Sequence, residues 1–396
     1  PICLFNNYLF IGMLGYFNYF IVLLACFINT PVEKGVYNYY KRLALKKLKG
    51  TNLDVIGITG SYGKTSSKNI LFNILNVKYN VLATPKNFNT AYGLIGTINK
   101  NLDKFTELFI AEMGAFKKGE IKQLCDLVKP KYGILTTIGT AHLESFGSRK
   151  NIQKGKFELI ESLPSDGVGI LNMDDPYQVS YKIKNSCKII WIGIDSEADV
   201  VATDIVLTNK GTTFNVMFKG DKTKYKFETV LLGKANIYNI LDGIALGKYL
   251  NISIEQLQLG VKKVQILEHR LELKKYGEIN IIDDAYNSNP IGSKMALEVL
   301  ALMPGKKIVV TPGMIELGSN QYEANKDFGK QIAHVADEVI LVGQQQTKPI
   351  YDGLKEEKYD NIHIIEDVKE AFILMNKLKE KETYVLLEND LPDIFL

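Results

Sequence analysis

The segment Thr59-Gly60-Ser61-Tyr62-Gly63-Lys64-Thr65-Ser66 constrains the fold more than any other stretch of the chain. It follows Val55-Ile56-Gly57-Ile58, a short apolar run that reads as a buried strand. It precedes Lys68-Asn69-Ile70-Leu71-Phe72-Asn73-Ile74-Leu75, whose apolar residues recur at helical spacing. Strand, glycine-rich turn and helix in that order form the unit in which backbone N–H groups and a helix N-terminus cradle phosphates. In such a loop Lys64 would reach the terminal phosphates, and the Thr65 hydroxyl would ligate the Mg²⁺ carried with them. The plainer alternative is an ordinary tight βα turn. The usual eight-residue loop spacing is not kept, because its first glycine would fall at Ile58. The segment therefore reads as a shorter variant of the nucleotide cradle.

The alternation continues on both sides of a central change. Buried strands are predicted at 54–59, 108–112, 132–137 and 168–172, with helices near 64–76, 117–128 and 151–162. That pattern predicts a mostly parallel sheet covered on both faces. From 188 to 232, runs such as Phe214-Asn215-Val216-Met217-Phe218 alternate in the manner of antiparallel strands. Helices are expected at 236–250 and 253–263, and a hinge around Gln265 to Arg270. Beyond it strands near 279–283, 307–311, 338–342 and 383–387 alternate with helices near 291–302, 323–335 and 366–378. The expected fold is α/β: a central P-loop ATPase domain over 51–265 with an antiparallel subsheet, then a Rossmann-like α/β domain over 266–396. A cleft between two such domains is where a ligand binds.

Residues 1–50 differ in kind. Tyr8 through Ile28 carries no charge, and about 20 apolar residues suffice to span a bilayer as a helix. Lys34, Lys41, Arg42, Lys46, Lys47 and Lys49 then follow against a single Glu33, and such enrichment marks the cytoplasmic side of a span. Tyr37, Tyr39 and Tyr40 among those lysines suit a helix at anionic headgroups. A signal peptide lacks support, since there is neither a basic start nor an Ala-x-Ala site, and a buried core helix is the other alternative. The sequence opens on Pro1 rather than Met, which leaves room for an upstream piece such as another span. The expectation is a transmembrane anchor and basic linker holding an enzyme at the cytoplasmic face of the cell membrane. A net charge of +4 is too small to argue for a nucleic-acid partner. Cys3, Cys26, Cys125 and Cys187 lie far apart without metal-type spacing, as reduced thiols do.

Several polar residues fall at predicted strand ends, where open α/β sheets collect ligands. Glu112 closes the run Leu108-Phe109-Ile110-Ala111, and a carboxylate beside a phosphate loop is a natural Mg²⁺ ligand. His142 follows the next strand at the same sheet edge, although a lone histidine is often structural. Lys156 by spacing alone is a solvated helix lysine. Asn236 and Asn239 lie near a helix start, where capping would explain Asn236. Arg270 and the run Asp283-Asp284-Ala285-Tyr286-Asn287-Ser288-Asn289-Pro290 open the second domain, and that run is polar beyond what a βα loop with a capping asparagine needs.

Together these segments resemble the Mur ligase family of ATP-dependent amide-bond ligases of peptidoglycan assembly. The resemblance covers residues 54 to about 340 and rests on sparse motifs in the right order. It implies a phosphate loop at Thr59, Gly60, Ser61, Tyr62, Gly63, Lys64, Thr65 and Ser66. It implies metal binding by Glu112 and His142 with Thr65, and a carbamylated, cation-bridging Lys156. Asn236 and Asn239 take the adenine side, Arg270 the domain crossing, and Asp284 the ribose side. The signature at 283–290 resembles the branch that adds D-alanyl-D-alanine, with Thr84 to Asn89, Glu112 to Ala115, Ala141 to Gly147 and Met314 to Gly318 as further matches. Substrate contacts then fall to Asn87, Asn89, Asp283, Tyr286, Asn287 and Asn289.

The sequence also departs from that branch. A span and basic linker stand where a UDP-sugar-binding domain is usual, Thr311-Pro312-Gly313 precedes Met314 where Gly-Asp is usual, and Glu388-Asn389-Asp390 replaces a Lys-Gly-Ser element. Thr137 and Ala235 stand in for a usual Asn and His. The expected reaction uses ATP and Mg²⁺: a substrate carboxylate takes the γ-phosphate, and an amine displaces it to leave an amide. Lys64, His142, Lys156 and Arg270 are the expected catalytic set. The acceptor, UDP-linked or lipid-linked, and the amine stay open. So do two other readings, a ligase acting on folate or poly-glutamate substrates and a non-ligating membrane-tethered P-loop protein.

Overall fold

Five of the six residues of β1 (Asp54–Thr59) are buried, and this double-faced burial puts the strand inside a sheet. The computed structural model describes residues 2–389 apart from 209, 287 and 316. β1 pairs in parallel with β3 (Leu108–Glu112) and β4 (Tyr132–Leu135). β2 (Val81–Ala83) adds outside β3, while β5 (Val168–Asn172) and β6 (Lys188–Gly193) extend the other side in parallel. β7 (Val200–Thr208), β8 (Gly211–Phe218) and β9 (Tyr225–Thr229) complete a nine-stranded sheet in the order β2-β3-β1-β4-β5-β6-β7-β8-β9. The antiparallel pairing expected over 188–232 begins only between β7 and β8, because β5–β6 and β6–β7 still pair in parallel. The connection from β5 to β6 carries the short helix Pro176–Val179, a crossover rather than a hairpin.

The second sheet has six strands in the order β10-β11-β15-β12-β13-β14. They are β10 (Glu272–Tyr276), β11 (Ile279–Asp284), β12 (Lys306–Thr311), β13 (Glu338–Val342), β14 (Ile362–Ile365) and β15 (Thr383–Glu388). Only the β10–β11 hairpin is antiparallel. β15 slots between β11 and β12, so the strand order reverses there and the carboxyl ends of β11 and β15 open a crevice.

The helices around the first sheet's site are α1 (Ile2–Lys49), α2 (Lys64–Leu75), α3 (Ala91–Asn101), α4 (Glu120–Val128), α5 (Leu143–Phe146) and α6 (Arg149–Glu161), of which α2, α4 and α6 follow the sequence pattern. Eight elements had no counterpart in the sequence reading: β2, α3, α5, the helix Pro176–Val179, β10, the 3₁₀ turn Gly318–Asn320, the helix Gln344–Glu356 and β14. α3 contains Gly93 and Gly96, and Gln344–Glu356 contains Pro349, so local propensity argues against both. The three-residue and four-residue strands β2 and β14 are too short to show a period.

α1 is one continuous helix with two environments. Residues 17–36 are all exposed, whereas Ala44 is fully buried and Tyr37, Leu45 and Leu48 pack on the first sheet's helical layer. Among the described residues, the helix from Phe17 is long and apolar enough to cross a bilayer. Its second half lies along α3. The Tyr37 and Tyr92 rings meet at 5.0 Å, Asn99 Nδ2 donates to the Tyr40 carbonyl at 2.9 Å, and Lys47 Nζ donates to the Asn99 carbonyl at 2.6 Å.

Candidate active site between the two sheets

The turn after β1 is shaped by two close approaches. A Cβ on Gly60 would collide with Thr136 Oγ1, and Gly63 holds φ 80° as the residue ahead of α2, a left-handed conformation open to glycine. No side chain caps α2, so its leading N–H groups face the pocket. Around the turn, Ser61 N donates to the Thr137 carbonyl at 2.7 Å and Gly139 N donates to Ser61 Oγ at 3.0 Å. The Tyr62 hydroxyl meets Thr140 Oγ1 at 3.3 Å, and Thr59 Oγ1 ties the strand end to the Met113 carbonyl at 2.9 Å. Ser66 follows on α2, half-buried.

Lys64 Nζ folds back over this turn and donates to the carbonyls of Gly60 at 2.9 Å and Ser61 at 3.4 Å. Burial pushes its pKa below the usual lysine value, Glu112 opposes that shift, and Arg270 adds to it. Glu112, at the end of β3, is 1% exposed and fully engaged. Thr65 Oγ1 donates to both of its oxygens at 3.1 Å, Asn89 Nδ2 reaches Oε1 at 3.3 Å, and Lys68 Nζ reaches Oε2 at 2.8 Å. Lys68 also donates to the Lys86 carbonyl. It is 1% exposed and holds Glu112 in a buried ion pair that the sequence reading missed. The signal was there: a lysine among Ile70, Leu71, Ile74 and Leu75 on the inner face of α2 needs a buried acid.

His142 sits ahead of α5 at φ 59° with its ring 4.4 Å from that of Phe116. Arg270 comes from the other sheet and stacks on Tyr286 at 4.1 Å. Its neighbours His269 and Leu271 both adopt positive φ, 58° and 50°. One pocket of about 310 Å³ gathers Ser61, Tyr62, Gly63, Lys64, Thr65, Asn87, Asn89, Glu112 and His142 from the first sheet. Arg270, Tyr286, Ser288 and Asn289 line it from the second.

Other residues singled out in the sequence lie outside that lining. Lys156 is 1% exposed on α6, with Nζ 5.6 Å from the Phe146 ring centroid. Burial, with Lys64 adding, pulls its pKa down to about 7. Asn236 donates to the Leu232 carbonyl at 2.8 Å. Asn239 is buried with its amide beside Gly63. Asp283 accepts from Lys274 Nζ at 2.8 Å and Ala285 N at 3.2 Å, and its Oδ2 meets His269 Nδ1 at 2.9 Å. Asp284 accepts from Leu271 N at 3.1 Å; burial raises its pKa to about 6, Arg270 opposing and Asp283 adding. In register beside it, Glu388 is pushed well above the carboxylate range by burial and by Asp284, and Oε1 accepts from Ser288 Oγ at 2.6 Å. Asn289, which does line the pocket, also caps its helix, its Oδ1 accepting from Gly292 N at 2.9 Å. Asn287, Glu316 and Asp390 lie outside the described residues.

No three His, Cys, Asp or Glu side chains cluster as a self-sufficient metal cage among the described residues. A hydroxyl and a carboxylate, Thr65 and Glu112, do meet at the mouth of the loop. That sparse, hard donor set suits Mg²⁺, which keeps waters and phosphate oxygens as its other ligands. With the uncapped start of α2 supplying N–H donors beside them, the residues present fit a nucleotide carried with Mg²⁺.

A P-loop sheet facing an arginine-bearing second sheet across one polar pocket defines a two-part α/β nucleotide-dependent class. Comparison with known proteins is more specific. Residues 58–247 match the Mur ligase middle domain, and residues 269–388 match the Mur ligase, glutamate ligase domain. UDP-N-acetylmuramoyl-tripeptide–D-alanyl-D-alanine ligase of Bacillus subtilis is 33% identical over 353 residues, 88% of this chain and 75% of that protein. The Escherichia coli enzyme of the same name is 30% identical over 298 residues, 74% of this chain and 65% of that one. The chain thus spans three quarters of the first relative and just under two thirds of the second. The crystal structure of MurF from Acinetobacter baumannii superposes with a TM-score of 0.81 at 26% identity, covering 89% of this chain and 77% of that one. MurF ligase from Thermotoga maritima in complex with ADP gives 0.78 at 26% identity, covering 89% and 80%. This chain belongs to the Mur ligase family.

Proposed function

We propose that the chain is an ATP-dependent ligase of peptidoglycan precursor synthesis. It joins D-alanyl-D-alanine, or a closely related amine, to the terminal carboxylate of a muramoyl tripeptide, and α1 holds it at the cytoplasmic face of the membrane. The observation that carries the reading is the single pocket in which Lys64, Thr65, Glu112 and His142 face Arg270, Tyr286 and Asn289.

The physical difficulty of the reaction is the approach of two anions, a carboxylate and a phosphate. Lys64 and Arg270 bring two cations to the same pocket, and both are already partly desolvated, so their charge acts in a poorly screened setting. The unshared N–H groups at the start of α2 add donors aimed at phosphate. Thr65, Glu112 and His142 would hold Mg²⁺, which supplies charge neutralisation of the transferring phosphoryl group. Lys156, with a pKa near 7, carries a neutral amine for much of the time at neutral pH, the form that carbamylates; an anionic carbamate there would hold a second cation. Arg270, on the strained segment between the sheets, would swing with domain closure and exclude water from the reacting groups.

The test is phosphate release by the detergent-solubilised protein with ATP, Mg²⁺ and muramoyl tripeptide, supplied both as its UDP conjugate and on a lipid. Release that requires D-alanyl-D-alanine and yields a new amide by mass is expected. Phosphate release without an amide product, or full ligation by Lys64→Ala and His142→Ala, would sink the assignment.

A further inference from the structure

β11 and β15 each end in an acid, and the two acids are neighbours. Asp284 and Glu388 stand in register on adjacent parallel strands, so their side chains leave the same face of the sheet from backbones about 4.8 Å apart. Asp284 accepts from Leu271 N at 3.1 Å, and Glu388 Oε1 accepts from Ser288 Oγ at 2.6 Å. Glu388 is 1% exposed, and its Oε2 is buried with no hydrogen-bond partner among the described residues. A buried carboxylate oxygen without a donor is costly, and two carboxylates at this spacing do not both keep a charge. A single proton held within the pair removes both costs.

The surrounding charges decide which acid holds it. Arg270 favours the ionised form of Asp284 and Asp283 opposes it, while Asp283 is itself engaged by Lys274 and His269. On the other side β12 ends in the uncharged Thr311, and the helix Pro290–Ala301 carries its Lys294 and Glu298 exposed to solvent. Asp284, beside the arginine, therefore keeps the charge. Glu388 keeps the proton, since burial and the Asp284 charge both push its carboxyl upward.

We infer that Glu388 is a positioning residue, a neutral carboxylic acid that donates from Oε2 to Asp284 and so sets Asp284 as a singly charged partner for Arg270. The inference rests on the ligase reading and adds a residue to its machinery. Arg270 feels the Asp284 charge while its guanidinium lies 4.1 Å from the Tyr286 ring and lines the pocket. One carboxylate steadies the arginine and leaves it able to turn toward phosphate. A second ionised carboxylate would draw it back onto the sheet. As pH rises through the raised Glu388 value the proton leaves, the Oε2 bond is lost and Arg270 is pulled from its place.

Infrared difference spectra of the detergent-solubilised full chain read the proton directly. Wild type minus Glu388→Gln at pH 7 should show the C=O stretch of one protonated carboxyl, fading as pH is raised. Activity is read with ATP, Mg²⁺, UDP-linked muramoyl tripeptide and D-alanyl-D-alanine. Glu388→Met keeps the side-chain volume and removes the donor, so kcat/KM for ATP should fall about tenfold, the scale of one hydrogen bond to a charged group. Glu388→Gln restores a donor that does not titrate; it should recover most of that loss and abolish the alkaline fall in kcat/KM shown by wild type. An absent carboxyl band, a glutamine variant as impaired as the methionine one, or an alkaline fall that persists in it overturns the inference. Should Glu388→Met fail to fold, the band and the glutamine pH profile decide. The infrared measurement needs no substrate, so wild-type protein that shows the band but does not ligate overturns the ligase reading and, with it, the role assigned to Glu388 in catalysis.

Discussion

The two rims of the pocket are built on opposite plans. On the first-sheet rim the polar groups are tied to one another before any ligand arrives: Glu112 accepts from Thr65, Lys68 and Asn89, and the loop is pinned through Ser61, Thr136 and Gly139. On the second-sheet rim, Arg270 rests on the face of a Tyr286 that is 47% exposed, between two residues of positive φ. Behind it Asp284 and Glu388 lie side by side with raised pKa values. Phosphate geometry is the same in every turnover, so the rim that grips it gains from being fixed in advance. In the proposed reaction the opposite rim would have to open, admit two further substrates and close, and its positive-φ segment, tied through His269 and Leu271 to Asp283 and Asp284, would carry that movement.

Removing a charge from the fixed rim should have the largest effect. Lys64→Ala is expected to lower kcat by about 10³-fold, the scale of losing one charged group at a transferring phosphoryl. Because burial already penalises that ammonium, the unfolding midpoint in urea should not fall; a large drop would mean that Lys64 is a structural residue. Lys68→Met leaves Glu112 buried and unpaired, which should cost about 3–5 kcal/mol of stability, read from the same urea transitions. A cost below about 1 kcal/mol would show that the first rim is not wired through this pair.

Changes on the second rim should be milder. Arg270→Lys keeps the charge and loses the planar stack on Tyr286, so kcat/KM for ATP should fall about tenfold with little change in stability. An equal loss of stability and activity would mean that this rim is as fixed as the other. The smallest effect concerns Lys156. Its folded pKa of about 7 lies below the unfolded value near 10, so the unfolded chain binds more protons across that interval. The burial penalty is therefore fully felt below pH 7 and relieved as pH rises through the interval, and the protein should grow more stable from pH 7 to 9. Lys156→Met should flatten that slope, and its activity should lose any dependence on added bicarbonate. An unchanged slope would place the titration elsewhere.

The same contrast decides what was legible in the sequence. The loop residues Gly60 to Thr65, Glu112 and His142 could be placed because each follows a buried strand, and strand ends share one edge of a parallel sheet. Lys68 could not, since a lysine in a helix reads as solvated until the helix is laid against the end of β3. Lys156 hides in the same way: α6 also carries Arg149, Lys150, Lys154, Glu158 and Glu161, so nothing in its spacing marks one lysine as buried. On the second rim, composition alone put Asp283 beside Asp284. Only the β10–β11 hairpin reveals that Asp283 faces Lys274 and His269, while Asp284 faces Leu271. Asn236 shows the reverse, because its bond to the Leu232 carbonyl is the kind of local backbone contact that the helix-start position implied.

The order of the strands has a further consequence at their margins. Two open sheets leave four unpaired edges: β2, β9, β10 and β14. Each is either short or charged. β2 has three residues and β14 four, β9 carries the Lys226–Glu228 ion pair, and β10 reads Glu272-Leu273-Lys274-Lys275-Tyr276. Edges of this kind are poor templates for strand addition by a neighbouring molecule. If α1 gathers the protein at a membrane as proposed, copies there would meet constantly, and these margins would let them crowd without pairing edge to edge.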